Sequence, residues 1–214
     1  MEIRVYKRIQ EANDAIAARN RAAFAAAGTT AFNLISSPGA GKTTLLIATL
    51  ERLRTRCGCG VIEGDVETDR DAQRLAHLGL PVVQITTDGA CHLDANMIAT
   101  VLPEFPLAAT PLLFIENVGN LVCPASYDLG ERGKIVLLSV AEGDDKPAKY
   151  PAALIEATAV VLTKTDLLPH CPFSTDRFWA DVATVNPRVQ RFALSATTGD
   201  GLDGWCDWLA AQAR

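Results

Sequence analysis

The sequence predicts an α/β fold in three layers, a mainly parallel β-sheet flanked by helices, and three observations carry that prediction. Seven short apolar runs, rich in Val, Ile and Leu, recur along the 214 residues. Longer stretches with helical spacing separate them, as crossovers between parallel strands require. The composition, 49% hydrophobic and 21% charged, is that of an ordinary globular chain able to bury such a sheet on both faces. We read residues 1–214 as a single domain.

The elements follow in order. Residues 2–27 place Val5, Ile9, Ala12, Ile16 and Phe24 at roughly helical spacing among charges, and Gly28 supplies a stop, so the chain opens on an amphipathic helix. Strands are expected at 31–36, 60–63, 82–85, 112–115, 135–140, 159–162 and 189–194. Helices are expected near 42–56, 68–78, 92–102, 149–157, 175–184 and 201–213. In such a sheet, ligand sites form at the carboxyl ends of the strands.

Charge and hydropathy exclude other classes. A net charge of −5 leaves no basic footprint for nucleic acid. Pro103, Glu104 and Pro106 interrupt the most apolar region, so no membrane span is expected. The polar start lacks a signal peptide's apolar segment, so a cytoplasmic location is expected. There its six cysteines read as reduced thiols rather than as disulfides.

The first chemical motif joins the strand at 31–36 to the next helix. Ser36-Ser37-Pro38-Gly39-Ala40-Gly41-Lys42-Thr43-Thr44 fits the phosphate-loop pattern, with Ser36 in place of its first glycine. Gly39, Ala40 and Gly41 let the backbone approach a polyphosphate, and the helix beginning at Lys42, Thr43 and Thr44 presents free N–H groups to it. Lys42 adds a point charge, and Thr43 offers a hydroxyl to magnesium.

Which nucleotide binds is read from later strand ends. Thr163-Lys164-Thr165-Asp166 resembles the guanine-reading NKxD motif, with Asp166 accepting from the base, Lys164 packing its stem over it, and Thr163 standing where the motif has Asn. Ser195-Ala196-Thr197 resembles the loop whose backbone N–H meets the guanine oxygen. Glu116-Asn117-Val118-Gly119 is an ExxG in the place of the usual DxxG; Glu116 would hold magnesium through water, and the Gly119 amide would meet the γ-phosphate. Asp65 is a candidate for the magnesium shell or the attacking water, whereas Thr68 and Asp71 have the spacing of a helix cap. With no arginine placed as a finger in cis, hydrolysis is expected to be slow.

A second chemistry lies in Cys91-His92-Leu93-Asp94-Ala95 and in Cys123, four residues after Gly119. A thiol near a helix N-terminus favours the metal-binding thiolate. Cys91, His92 and Cys123 are therefore a candidate metal site tied to the phosphate-sensing loop. Thiolate and imidazole suit nickel, zinc or copper, and a four-coordinate ion needs one more ligand. Cys57-Gly58-Cys59 and His170-Cys171 are weaker pairs, Cys206 reads as core, and Lys146 and Lys149 read as a solvated loop.

With the phosphate loop, CHLDA and ENVGNLVCPA in this order, the chain resembles the HypB family of hydrogenase nickel-incorporation GTPases, SIMIBI-class P-loop proteins, from its leading helix to Ser195-Ala196-Thr197-Thr198-Gly199. The resemblance implies a P-loop NTPase fold that binds GTP, GDP and Mg2+. It also implies dimerisation when GTP is bound, and delivery of nickel to the large subunit of [NiFe] hydrogenase with a small zinc-containing accessory protein. The family's nickel or zinc ligands fall on Cys91, His92 and Cys123, its phosphate and magnesium residues on Lys42, Thr43, Asp65 and Glu116, and its base-reading Asp on Asp166. The related urease nickel-insertion GTPases carry Cys-Pro-His, and Cys91-His92 lacks that Pro. A nucleotide-regulated metal-binding scaffold that needs no turnover is the remaining alternative.

Overall fold

The computed structural model describes residues 2–66 and 70–213. Seven strands, β1 (Thr30–Ser36), β2 (Cys59–Asp65), β3 (Val82–Thr86), β4 (Leu112–Glu116), β5 (Gly133–Ser139), β6 (Ala157–Thr163) and β7 (Gln190–Ala193), form one sheet. Their order is β3-β2-β4-β1-β5-β6-β7, and every named pair is parallel. The expected strands are all present. β1 and β4 lie at the middle, so the phosphate-loop motif and the ExxG motif leave the sheet side by side.

Alternation along β1 shows how the sheet makes its layers. Phe32 and Leu34 point to one face, where they pack with Leu45 and Leu50 of α2 (Lys42–Leu53) and Trp205 of α8 (Leu202–Gln212). Ile35 points to the other, with Phe178 of α7 (Thr175–Val185) and Leu154. Ala31 shares that second side with Phe24 and Ile98. Each fully buried Leu or Phe contributes about 1.5–3 kcal/mol. Trp205 also needs a partner for its indole N–H, and finds the Thr49 hydroxyl at 2.9 Å.

Four stretches depart from expectation. The helix α1 (Glu2–Ala27) is present and ends at Gly28 (φ 70), but its buried stripe is Asn13, Ala17, Asn20 and Phe24, while Ala12 is exposed. The side chains of Val5 and Ile9 lie outside the described residues. The two asparagines are buried because their amides are used: Asn13 Oδ1 accepts from the Ala95 N–H at 2.9 Å, and Asn20 Nδ2 donates to the Ala95 and Leu129 carbonyls. The helix expected over 149–157 is instead two short pieces, α5 (Lys146–Lys149) and α6 (Pro151–Ile155), since Pro147 and Pro151 each fit a first turn but not a helix interior. Lys146 and Lys149 thus sit on a helix, paired with Glu142 and Asp145, rather than on a loop.

The third departure lies at the candidate metal segment. Helix α4 (Ala95–Val101) begins only at Ala95, capped by the Asp94 carboxylate, which accepts from the Met97 N–H at 2.8 Å. Cys91 and His92 therefore stand in the turn before it. Helix α3 (Arg70–Ala76) ends at Ala76, before the expected 78, and the cap expected at Thr68 lies outside the described residues.

Candidate functional site

The carboxyl ends of β1, β2 and β4 open onto a cavity of about 380 Å³ lined by Gly39, Gly41, Lys42, Thr43, Thr44, Glu63, Asp65, Asp71, Arg74, Glu116, Asn117, Gly119 and Lys164. The turn from β1 into α2 passes through Gly39 (φ 77) and Gly41 (φ 95), and Gly41 caps the helix. Ser36, the residue in place of the motif's first glycine, has a task of its own: its Oγ accepts from Lys42 Nζ at 3.0 Å and donates to the Ser37 carbonyl. The lysine is thereby held beneath the loop.

The charges of this cavity are buried at a cost. Burial pushes Lys42 below its ordinary range, against the opposing pull of Glu116 and Asp71. Burial also pushes Glu116 up to about 7 and Glu63 up to about 8, the latter helped by the neighbouring Glu116. Glu63 and Glu116 are register partners on β2 and β4. Each keeps a buried Oε2 with no hydrogen-bond partner.

Thr43 faces two carboxylates at once, with Oγ1 at 2.8 Å from Glu116 Oε1 and 2.9 Å from Asp71 Oδ2. A hydroxyl has one proton to give, so one of these contacts needs a second proton or a cation. The all-oxygen donor set and the unpartnered Glu116 oxygen fit magnesium, which takes hydroxyl, carboxylate and water ligands. Asp71 is the residue that the sequence reading assigned to a helix cap. Its contact with Thr43 spans 28 residues, and it pairs with Arg74 at 3.0 Å. Arg74 is likewise a cavity residue that sequence reasoning did not identify. Asp65 lines the cavity as expected, with Oδ1 accepting from the Val66 N–H at 2.7 Å.

A second cavity of about 310 Å³ continues from the first across Ala40, Gly41, Thr44, Thr163, Lys164, Asp166, Ala196 and Thr197. The two expected base-reading segments meet here. Ser195 Oγ donates to Asp166 Oδ1 at 2.5 Å and accepts from the Thr197 and Thr198 N–H groups, so one serine joins both loops. Lys164 Nζ reaches the Gly39 carbonyl at 2.7 Å. Thr163 is not idle: its hydroxyl donates to the Ala40 carbonyl at 2.7 Å and ties β6 to the phosphate loop.

The candidate metal ligands come together as expected. Cys91 Sγ lies 3.0 Å from Cys123 Sγ and 3.5 Å from His92 Nδ1, and the three ligand atoms are within 4.8 Å of one another. Among the described residues this is the one group of three or more His, Cys, Asp or Glu side chains gathered closely enough to hold a metal ion. The His92 ring packs on Tyr127, with centroids 3.9 Å apart. Burial lowers the His92 pKa, which favours the neutral imidazole that binds metal. For Cys91 the expectation of a lowered thiol pKa is corrected: its contact with the Cys123 thiol pushes it up, and α4 starts four residues later and is seven residues long. Two thiols and an imidazole form a soft to borderline donor set, suited to Ni2+ or Zn2+.

The weaker pairs fall away. Cys57 and Cys59 sulfurs lie 3.7 Å apart, but Cys59 belongs to the buried core beside Cys206. Cys171 packs against the opposite core cluster, and His170 is exposed.

One contact joins the two cavities' neighbourhood to the thiol corner. A Cβ on Gly64 would meet Leu93 side-chain atoms at 2.7 Å, so Leu93, next to His92, is seated directly on the β2 backbone. Leu93 is fully buried there.

Comparison with known proteins bears on these cavities. Residues 30–193 match the family described as CobW/HypB/UreG, nucleotide-binding domain. Over 204 residues the chain is 50% identical to hydrogenase maturation factor HypB of Escherichia coli K12, covering 95% of this chain and 70% of that protein. Among solved structures, HypB from Archaeoglobus fulgidus superposes with a TM-score of 0.89 at 36% identity, covering 95% of this chain and all of the other. HypB from Helicobacter pylori, solved in complex with nickel, gives 0.88 at 40% identity and covers 94% and 95% of the two chains.

Proposed function

The chain belongs to the HypB hydrogenase maturation factors, within the CobW/HypB/UreG nucleotide-binding family, and from that premise we propose that it is a GTP-hydrolysing nickel carrier whose cargo site responds to the bound nucleotide. The observation that carries this reading is a shared loop. Residues 117–122 connect Glu116, in the phosphate cavity, to Cys123, in the thiol cluster, so a shift at one end of this loop has a short covalent route to the other.

In this reading Gly39, Ala40, Gly41, Lys42, Thr43 and Thr44 bind the phosphates through backbone N–H groups and the lysine charge. Asp166 accepts from the guanine N1–H and amine, Lys164 lies along the base, and the Ser195-Ala196 turn meets its oxygen. Magnesium, held by Thr43, Glu116, Asp71 and water with Asp65 nearby, would neutralise phosphate charge as the terminal bond breaks. Asp65 orients the water that attacks the γ-phosphorus, the bond to the bridging oxygen breaks, and GDP and phosphate leave. Glu116 and Gly119 sense the terminal phosphate. Its loss relaxes the loop that carries Cys123.

Cys91, His92 and Cys123 hold nickel as cargo, and the same donors accept zinc. Water, a backbone group or a second copy of the chain completes the coordination. The GTP-bound form is the dimer, and it passes nickel toward the hydrogenase large subunit with a small zinc-containing accessory protein.

The test is a nickel and zinc titration of the protein loaded with GDP and with a non-hydrolysable GTP analogue, repeated on Cys91→Ala. Nickel affinity is expected to differ between the two nucleotide states and to fall by at least two orders of magnitude in the variant. Equal affinity in both states, or undiminished binding by Cys91→Ala, overturns the reading.

A further inference from the structure

The loop that joins the two sites contains three residues with unlike roles. Asn117 is buried and fully engaged: Oδ1 accepts from the Leu93 and Val118 N–H groups at 3.0 Å each, and Nδ2 donates to Asn33 Oδ1 at 3.1 Å. It is a fixed pivot. Gly119 abuts the phosphate loop, since a Cβ there would meet Pro38 Cα at 3.0 Å. A phosphate that draws in the Gly119 amide therefore displaces the next residue along the chain.

That next residue touches all three moving parts. The Asn120 backbone forms an isolated antiparallel bridge with Ser36, the first residue of the phosphate loop and the partner of Lys42. Its Nδ2 donates to the Cys91 carbonyl at 3.2 Å. Its Oδ1 accepts from the Val122 N–H at 2.8 Å, immediately before Cys123. One neutral side chain thus grips the backbone of both thiol-bearing segments while its own backbone rests on the phosphate loop.

We infer that Asn120 is a positioning residue that transmits the nucleotide state to the metal ligands, setting the spacing of Cys91 and Cys123 according to whether the terminal phosphate is present. This rests on the nucleotide-coupled nickel site proposed above. The chemistry suits the task. An amide offers a donor nitrogen and an acceptor oxygen in fixed geometry and brings no charge to the thiols, so a shift of the loop alters ligand spacing without stranding an ion. The Asn120 side chain does not line the phosphate cavity, so nucleotide binding in the absence of metal is expected to survive its removal.

The experiment compares wild type, Asn120→Ala, Asn120→Asp and Val122→Ala. For each, nickel dissociation constants are measured in the GDP and GTP-analogue states, together with nucleotide affinity without metal and thermal stability. Wild type is expected to show a ratio between states of roughly fivefold or more, the usual scale of coupling between sites. Asn120→Ala brings the ratio to within about twofold of unity while leaving metal-free nucleotide affinity within about twofold of wild type. Asn120→Asp keeps the acceptor for Val122 but cannot donate to Cys91, and it too loses the ratio. Val122→Ala leaves the backbone bond in place, and its ratio stays that of wild type.

A wild-type ratio near unity sinks the functional proposal and this inference together. A wild-type ratio that persists in Asn120→Ala sinks this inference alone. So does a ratio restored by Asn120→Asp, or one lost in Val122→Ala, or nickel binding weakened equally in both nucleotide states with a lowered melting temperature, which marks a purely structural residue.

Discussion

At the Glu116 end of the connecting loop the protein buries its charges, whereas at the Cys123 end it leaves its candidate metal ligands near solvent and holds them with neutral amides. Lys42, Glu63 and Glu116 are pressed into a cavity where each is shifted toward its neutral form by desolvation. Cys91 is exposed, His92 and Cys123 are half-buried, and Asn117 and Asn120 supply their scaffold. The contrast teaches that the two sites are stabilised differently. In the phosphate cavity, desolvation works against every one of these charges. The thiol corner costs little to keep open and little to rearrange.

The largest expected effect is the separation of the two regions by substitution. Lys42→Ala removes the buried charge aimed at the phosphates and is expected to weaken GTP binding by roughly a thousandfold, or about 4 kcal/mol. Nickel affinity of the nucleotide-free protein stays as in wild type. Calorimetric titration of each ligand checks both statements, and a parallel loss of nickel binding breaks the comparison.

The next effect is on stability. The folded protein keeps a proton on Glu63 up to about pH 8, which an unfolded chain releases near the ordinary carboxylate value. The native state therefore binds more protons across that window, and stability falls as pH rises from about 4.5 toward 8. Glu63→Gln is expected to flatten this slope and to stabilise the ligand-free protein at pH 8 by about 3 kcal/mol. Urea unfolding at several pH values, without nucleotide or magnesium, measures it. An unchanged slope shows that the cavity's charges are already relieved.

The smallest effect sharpens the boundary between phosphate and base cavities. Thr163→Val removes the hydroxyl that holds the Ala40 carbonyl and is expected to cost about 1 kcal/mol in GTP affinity, roughly fivefold. Because the lost bond positions the loop rather than the base, GTP and ATP weaken in proportion. A loss confined to GTP would make Thr163 a base reader instead.

The seven strands were legible because the crossovers between parallel strands force apolar runs and helical stretches to alternate, and the charged and sulfur-bearing side chains that gather at the two candidate sites were legible because their chemistry is distinctive. What escaped was local in appearance and distant in effect. Asp71 has the spacing of a cap, yet its partner Thr43 is 28 residues away. Asn13 and Asn20 occupy a helix face that periodicity assigns to apolar residues, because only the folded chain supplies the Ala95 and Leu129 backbone groups they satisfy. Asn117 and Asn120 carry no charge and little intrinsic chemistry, so their significance appears only with their partners. The helix start at Ala95 rather than near residue 92 follows from the Asp94 cap, which leaves the Cys91-His92 turn free to be shaped by its neighbours.

The seat of Leu93 on Gly64 bears on how this sequence can vary. An interior strand position ordinarily accepts a range of apolar side chains, but position 64 is a socket already filled by another residue's isobutyl group. A side chain there forces the Leu93 side chain to shift, and Leu93 is the residue next to His92. A position with no functional group of its own is thereby constrained, and the constraint comes from the turn beside it rather than from the strand it belongs to.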